Sequence, residues 1–192
     1  ILQESWLKNL VSQVCRSDAG VAGAVLLFSN NTIQHAGIHP NVNGLMGHGH
    51  KHWPAETAGY FGRLRIAHQV AAVTGACLAI EKSVWDLVGG LDENDLAVAY
   101  NDVDLCFKVR NLGLKIILDP KIRLLHQESA SRGFDDNPEG KTRLSKEKEV
   151  MLSRWEDTMF SDPAYNPNLS FENESFSLSD PKNVTRVKNY LD

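Results

Sequence analysis

This chain has no run of apolar residues approaching the roughly 18 to 20 that a membrane-spanning helix needs. It has no block of basic residues and no internal repeat, and its net charge is −4, so nucleic acid is not an expected partner. Cysteine is scarce: Cys15, Cys77 and Cys106 are odd in number and far apart. No Cys-x-x-Cys pair occurs, which argues against a zinc ribbon and a disulfide framework. Cys77 and Cys106 sit in apolar surroundings and read as buried free thiols, so a reducing, cytoplasmic compartment is expected. Triplets such as Asn168-Leu169-Ser170 carry little weight as glycosylation sites, because the first residues do not read as a secretory signal. Ile1 opens without an initiator Met and a helical pattern begins at once, so a piece of a longer protein is expected.

What is present is enough for one substantial core: 192 residues, 42% of them hydrophobic. Trp6, Leu7, Leu10, Val11 and Val14 recur at helical spacing and predict an amphipathic helix. Residues 21–28 form a continuous apolar run of strand length, flanked by turn signals, and predict a buried strand. A short extended piece follows at 32–38. Residues 40–54, rich in Gly, Asn and His, read as a long surface loop of the kind that serves as a lid or binding loop. A second buried strand is expected at 70–80, interrupted at Gly75, then a short helix at 81–88 stopped by Gly89-Gly90. A helix over 102–111 ends at Gly113. Strands at 114–118 and 122–125 flank Asp119-Pro120. A charged helix covers 141–155, with Glu147 and Glu149 on what reads as a solvated face. From Ser161 the chain becomes loop-rich, with a last short helix at 182–191. Strands alternating with helices predict an α/β layered domain over 1–160, open to ligands at its strand ends, and a tail over 161–192.

Candidate chemistry gathers at two places. Asn101-Asp102-Val103-Asp104 sets carboxylates at a helix start. Backbone donors and the helix dipole favour acidic residues there as caps, and the same setting keeps a general base ionised. His126 ends an apolar strand. It reads either as a hydrogen-bonded structural histidine or as a cation ligand, since Gln127-Glu128-Ser129-Ala130-Ser131-Arg132-Gly133 is too polar for a core. That loop could hold a cation and phosphate oxygens. The cluster Gly47-His48-Gly49-His50-Lys51-His52 reads as acceptor contact or solvent exposure rather than zinc, because no Cys supports it. Arg154-Trp155 reads equally as a packing anchor and as a substrate contact.

Several segments in fixed order carry a resemblance: Val73-Thr74-Gly75-Ala76-Cys77-Leu78-Ala79-Ile80, Val88-Gly89-Gly90-Leu91-Asp92-Glu93, Tyr100-Asn101-Asp102-Val103-Asp104-Leu105-Cys106 and His126-Gln127-Glu128-Ser129-Ala130-Ser131-Arg132-Gly133. Together they resemble the second half of a family 2 glycosyltransferase, of the rhamnosyltransferase-like group that builds bacterial surface polysaccharides. Ile33-Gln34-His35-Ala36-Gly37 and Asp162-Pro163-Ala164-Tyr165-Asn166-Pro167-Asn168-Leu169 fit the same group.

The resemblance implies a partial GT-A fold, a mixed sheet flanked by helices. It implies an inverting transfer from a nucleotide-sugar donor to a glycan or lipid-linked acceptor. Asp102 then matches the catalytic base and His126 a residue of the metal shell. His35, Thr74, Gly75, Asp104, Ser129 and Arg132 fall at substrate-binding positions. The expected cofactor is Mn²⁺ or Mg²⁺, held together with an Asp-x-Asp motif of the family's donor-binding half, which has no counterpart here. The isolated piece is therefore expected to be inactive. Met151 stands where processive members carry Gln ahead of Arg154-Trp155, which implies single-sugar transfer. A lipid-linked acceptor would place the parent protein peripherally at the inner membrane face. A sheet edge left bare predicts self-association. Two other readings remain: a non-catalytic glycan- or partner-binding module on the same fold, and a metal-dependent hydrolase. The hydrolase lacks the dense His and Asp ligand set such enzymes use.

Overall fold

The computed structural model describes residues 4–127 and 137–180. Its centre is β1 (Ala19–Leu27), buried along its whole length. Successive side chains of a strand leave opposite faces, and both faces of β1 are covered. Ala22 and Ala24 meet Leu10 and Val14 of α1 (Trp6–Val14), while Val21 and Val25 join the larger core. That core also takes Val103, Phe107 and Val109 from α3 (Asn101–Asn111). Helices thus flank both faces of a mixed sheet, and the apolar run read from sequence is what a doubly covered strand requires.

Around β1, β7 (Lys115–Leu125) runs parallel on one side, and β5 (His68–Val70) extends the sheet antiparallel beyond it. The other side of β1 is shared by two short antiparallel strands, β2 (Ile33–His35) at its end and β6 (Leu78–Ile80) nearer its start. A separate hairpin pairs β3 (Ile38–Pro40) with β4 (Met46–His48). Helix α2 (Lys82–Val88) ends at Gly89, whose φ of 76° is left-handed.

Several boundaries differ from the sequence reading, each for a local reason. The two strands expected around Asp119-Pro120 are one strand with an irregular register: Ala24 pairs with Asp119 but Val25 with Arg123. Proline gives no amide to the ladder. Asp119 supports the irregular stretch by accepting the Lys121 amide at 3.0 Å and the Gln13 side chain at 2.9 Å. The single strand expected at 70–80 is two, β5 and β6, separated by a turn that begins at Thr74. Helix α4 (Pro138–Met159) exceeds the predicted 141–155, because Asn137 caps it by accepting the Gly140 amide at 2.7 Å, with Pro138 in the first turn. Glu147, expected on a solvated face, is only 3% exposed.

The largest departure is at 40–54. This segment is no exposed loop: Val42, Leu45, Gly47, Gly49 and His50 are buried. Tyr165, Leu169 and Phe176, from the loop-rich segment after α4, pack over Val42. The aromatic residues of that later segment close what the Gly- and His-rich composition suggested would stay open. The helix expected at 182–191 lies outside the described residues. Among the described residues no helix is long and apolar enough to cross a membrane.

Gly23 marks the tightest packing of the sheet on the core. A Cβ there would stand 2.6 Å from Val73 Cγ1, so Gly23→Ala is expected to destabilise by about 1–3 kcal/mol. Urea unfolding should show a lowered midpoint with an unchanged slope, and a midpoint at or above that of the original protein would contradict the packing described.

Candidate active site

The start of α3 is built by strain and by clamps. Tyr100, just before the helix, holds a left-handed backbone with φ 63° and ψ 0°. A tyrosine in that region costs about 1–3 kcal/mol, so its surroundings must enforce it. Glu147 does so from α4. Its two carboxylate oxygens accept the amides of Val98 and Ala99, each at 3.0 Å. Sequence reasoning missed this role. The signal was present in the spacing, because Glu147, Met151, Trp155 and Met159 fall at every fourth position and all are buried.

Asp102 is half-buried in the first turn of α3. Its Oδ2 accepts the Gly75 amide at 2.8 Å and its Oδ1 the Val103 amide at 2.9 Å. Two neutral donors fix the carboxylate, and no cation pairs with it among the described residues. Each oxygen keeps a further lone pair. Gly75 lies in the exposed turn after Val73, where a Cβ would come within 3.4 Å of the Asp102 Cβ. The turn is held from below by His35, whose Nε2 accepts the Thr74 and Gly37 amides, both at 3.4 Å. An accepting Nε2 requires the proton on Nδ1, which donates to His48 Nδ1 at 2.9 Å. Burial, with His48 nearby, holds the His35 imidazole well below its usual range, so it is neutral. His35, Thr74, Gly75 and Asp102 therefore form one connected set. Only Thr74, Gly75 and Asp102 reach the surface, since His35 is 1% exposed.

Asp104, two residues further along α3, is fully buried. Its Oδ1 accepts Arg154 Nη1 and Trp155 Nε1, both at 2.8 Å. Lys108 Nζ lies 2.8 Å from Oδ2, off the hydrogen-bonding direction. Arg154 reaches Asp92 as well, at 2.9 Å. Asp104 thus points at α4 and leaves no surface to a substrate. Trp155, 7% exposed and set edge-on to Phe107, is a packing anchor.

His126 continues β7, its amide donating to Leu27 O at 3.0 Å. Its Nδ1 lies 2.8 Å from Gln34 Oε1. Donation there leaves Nε2 with a lone pair, the arrangement common to metal-ligating histidines. Gln34 and His35 are adjacent on β2 and leave opposite faces, and no hydrogen bond joins His126 to Asp102. Among the described residues no group of three or more His, Cys, Asp or Glu is disposed to hold a metal. His126 supplies one candidate ligand and the set does not fit a metal by itself. Ser129 and Arg132 lie outside the described residues.

A second histidine cluster lies under the late aromatic segment. His39 Nδ1 is 3.1 Å from Asp162 Oδ2, and His50 Nε2 accepts the Tyr60 amide at 2.9 Å while its ring stacks on Phe176. His50 is therefore buried, not a solvent-exposed member of the 48–52 run. Burial pulls His50 down to about 3 and His68 to about 4.

No protein-family model matches the chain. It is similar to the uncharacterized protein y4gI of Sinorhizobium fredii, 44% identical over 182 residues, which is 95% of this chain and 20% of that protein. It is also similar to the O-antigen biosynthesis protein RfbC of Myxococcus xanthus, 34% identical over 171 residues, 88% of this chain and 13% of that protein. The chain spans a fifth or less of the length of these curated relatives.

The buried histidines carry a pH prediction. Below about 6.5 the unfolded chain binds protons at His50 and His68 that the folded chain refuses. Stability is therefore full above the unfolded value and falls as pH drops toward about 4 for His68 and about 3 for His50. His50→Phe keeps a ring on Phe176 and removes one titrating group. Urea titrations at successive pH values below neutrality should show its acid slope reduced by up to about 1.4 kcal/mol per pH unit. An unchanged slope would show that His50 is not a source of the acid sensitivity.

Proposed function

We propose that this chain is the acceptor-side part of an inverting family 2 glycosyltransferase. It would act in surface polysaccharide synthesis, transferring a sugar from a nucleotide-sugar donor to a glycan or lipid-linked acceptor. The observation that carries this reading is the Asp102 carboxylate. It is half-buried at a helix N-terminus, aimed by the Gly75 amide at 2.8 Å and free of any cationic partner among the described residues. The similarity to a protein named for O-antigen biosynthesis supports the same class of chemistry.

In this proposal Asp102 takes the proton from an acceptor hydroxyl as that oxygen attacks the anomeric carbon. The new glycosidic C–O bond forms on the face opposite the leaving group. The bond from carbon to the diphosphate oxygen breaks, and the diphosphate departs with the electron pair. General-base help of this kind contributes typically about 10²–10⁴-fold. The helix N-terminus and the two amides orient the carboxylate before the acceptor arrives. Thr74 and Gly75 border the place the acceptor would occupy. His35 and Asp104 act as positioning residues, the first under the Thr74 turn and the second between α3 and α4. His126 would offer Nε2 to a divalent metal whose other ligands come from beyond the described residues, and no step here runs through that ion.

The test is sugar transfer by the protein that carries this chain, with a panel of nucleotide sugars and Mn²⁺ or Mg²⁺. Asp102→Asn keeps the size and can accept one of the two amides, since its Nδ2 only donates. It is expected to retain donor binding and to lose transfer by about 10²–10⁴-fold. Near-original turnover in that variant would remove Asp102 from the role. A protein that turns over no donor but binds glycan would favour the non-catalytic module.

A further inference from the structure

A cavity of about 510 Å³ opens between the turn at Tyr60–Arg65 and the segment after α4. Nothing in the chemistry assigned to Asp102 uses it. Its walls include the aromatic side chains of Tyr60, Phe160 and Phe171, with Arg63, Asp162 and Asn166 among them. Its volume lies in the range of small-molecule sites, about 300–1,000 Å³.

The polar groups are held rigidly and keep capacity to spare. The Asp162 side chain is 5% exposed, and its oxygens accept the Ala164 amide at 2.8 Å and face His39 at 3.1 Å. Each oxygen retains a second lone pair. Arg63 donates to Ala164 O at 2.6 Å and Gln69 O at 3.2 Å, which leaves further N–H groups on its guanidinium. Asn166 uses Oδ1 to accept the Asn168 amide at 3.0 Å, and its amide nitrogen has no partner among the described residues. The charges of Arg63 and Asp162 balance, so the cavity does not select an anion or a cation. A ligand with flat C–H faces and a rim of hydroxyls matches this arrangement: the faces lie on the aromatic rings, and the hydroxyls meet the carboxylate, guanidinium and amide.

The location separates this cavity from the candidate base. Arg110, near the end of α3, donates to Ser161 O at 3.5 Å, beside Asp162. Asp102 is at the opposite end of the same helix, about 12 Å away along the axis at roughly 1.5 Å per residue. We propose that the cavity between Tyr60 and Phe171 is a binding subsite for a neutral saccharide chain, remote from the centre at Asp102. This goes beyond the reading of Asp102 as a base and is tested by binding alone.

The experiment is ligand-observed saturation-transfer NMR on the 192-residue chain. Neutral trisaccharides of glucose, mannose and rhamnose are the probes, and uridine is the nucleobase control. At least one saccharide is expected to show transfer to its ring C–H protons. Phe160→Ala and Asn166→Ala, both at exposed positions, are expected to weaken binding between about twofold and tenfold with unchanged thermal melts. Asp102→Asn is expected to bind as the original does, which keeps failure of the base assignment distinct from failure of this one. Absence of transfer from all three saccharides at millimolar concentration overturns the proposal. So does binding that neither cavity variant weakens, or transfer to uridine alone.

Discussion

A fully buried carboxylate cannot be left alone, and Asp104 is the one on which the rest depends. An uncompensated charge in that position destabilises a protein by about 3–5 kcal/mol. Arg154 and Trp155 on α4 supply its donors, with Lys108 alongside. Satisfying Asp104 therefore fixes α4 against α3. Glu147, on the same face of α4 as Trp155, then falls where it can seize the amides of Val98 and Ala99. The chain just ahead of α3 is gripped at the point where Tyr100 must adopt its left-handed turn. Asp102 lies between these two fixed places, and its orientation follows from them.

The other half of the arrangement comes from the sheet. β2 brings His35 under the Thr74 turn, and a neutral buried imidazole can accept amides where a charged one could not. That turn presents the Gly75 amide to Asp102. One carboxylate is thus positioned from helix, loop and sheet together, with little freedom left in any of them. Such preorganisation is what a reacting group needs, because misplacement by an ångström is costly.

The main sheet and helices α1 to α4 were legible because their signals are local. The apolar run at β1, the helical spacing of α1 and Gly89 after α2 each act within a few residues. Asp102 was legible from its place at a helix start. What stayed hidden depends on partners distant in sequence. Asp119 keeps β7 continuous through Pro120 with help from Gln13, which no local pattern announces. Glu147 looked solvated because charge dominates its neighbourhood, although its spacing with Met151 and Trp155 pointed inward. Residues 40–54 looked like an open loop because their cover, Tyr165 and Phe176, comes more than a hundred residues later.

That last separation bears on how the chain assembles as it is made. His39 meets Asp162 across 123 residues of sequence, and His50 meets Phe176. Contacts this remote are slow to close, because the entropy of the intervening chain must be lost first. On a ribosome the β3–β4 hairpin emerges before its cover, and the imidazoles of His39 and the neighbouring His50 stay wet until the aromatic segment follows. Termination of synthesis before Phe176 would leave those histidines hydrated and that hairpin bare. The aromatic segment thus serves as a late cover for a region translated more than a hundred residues before it.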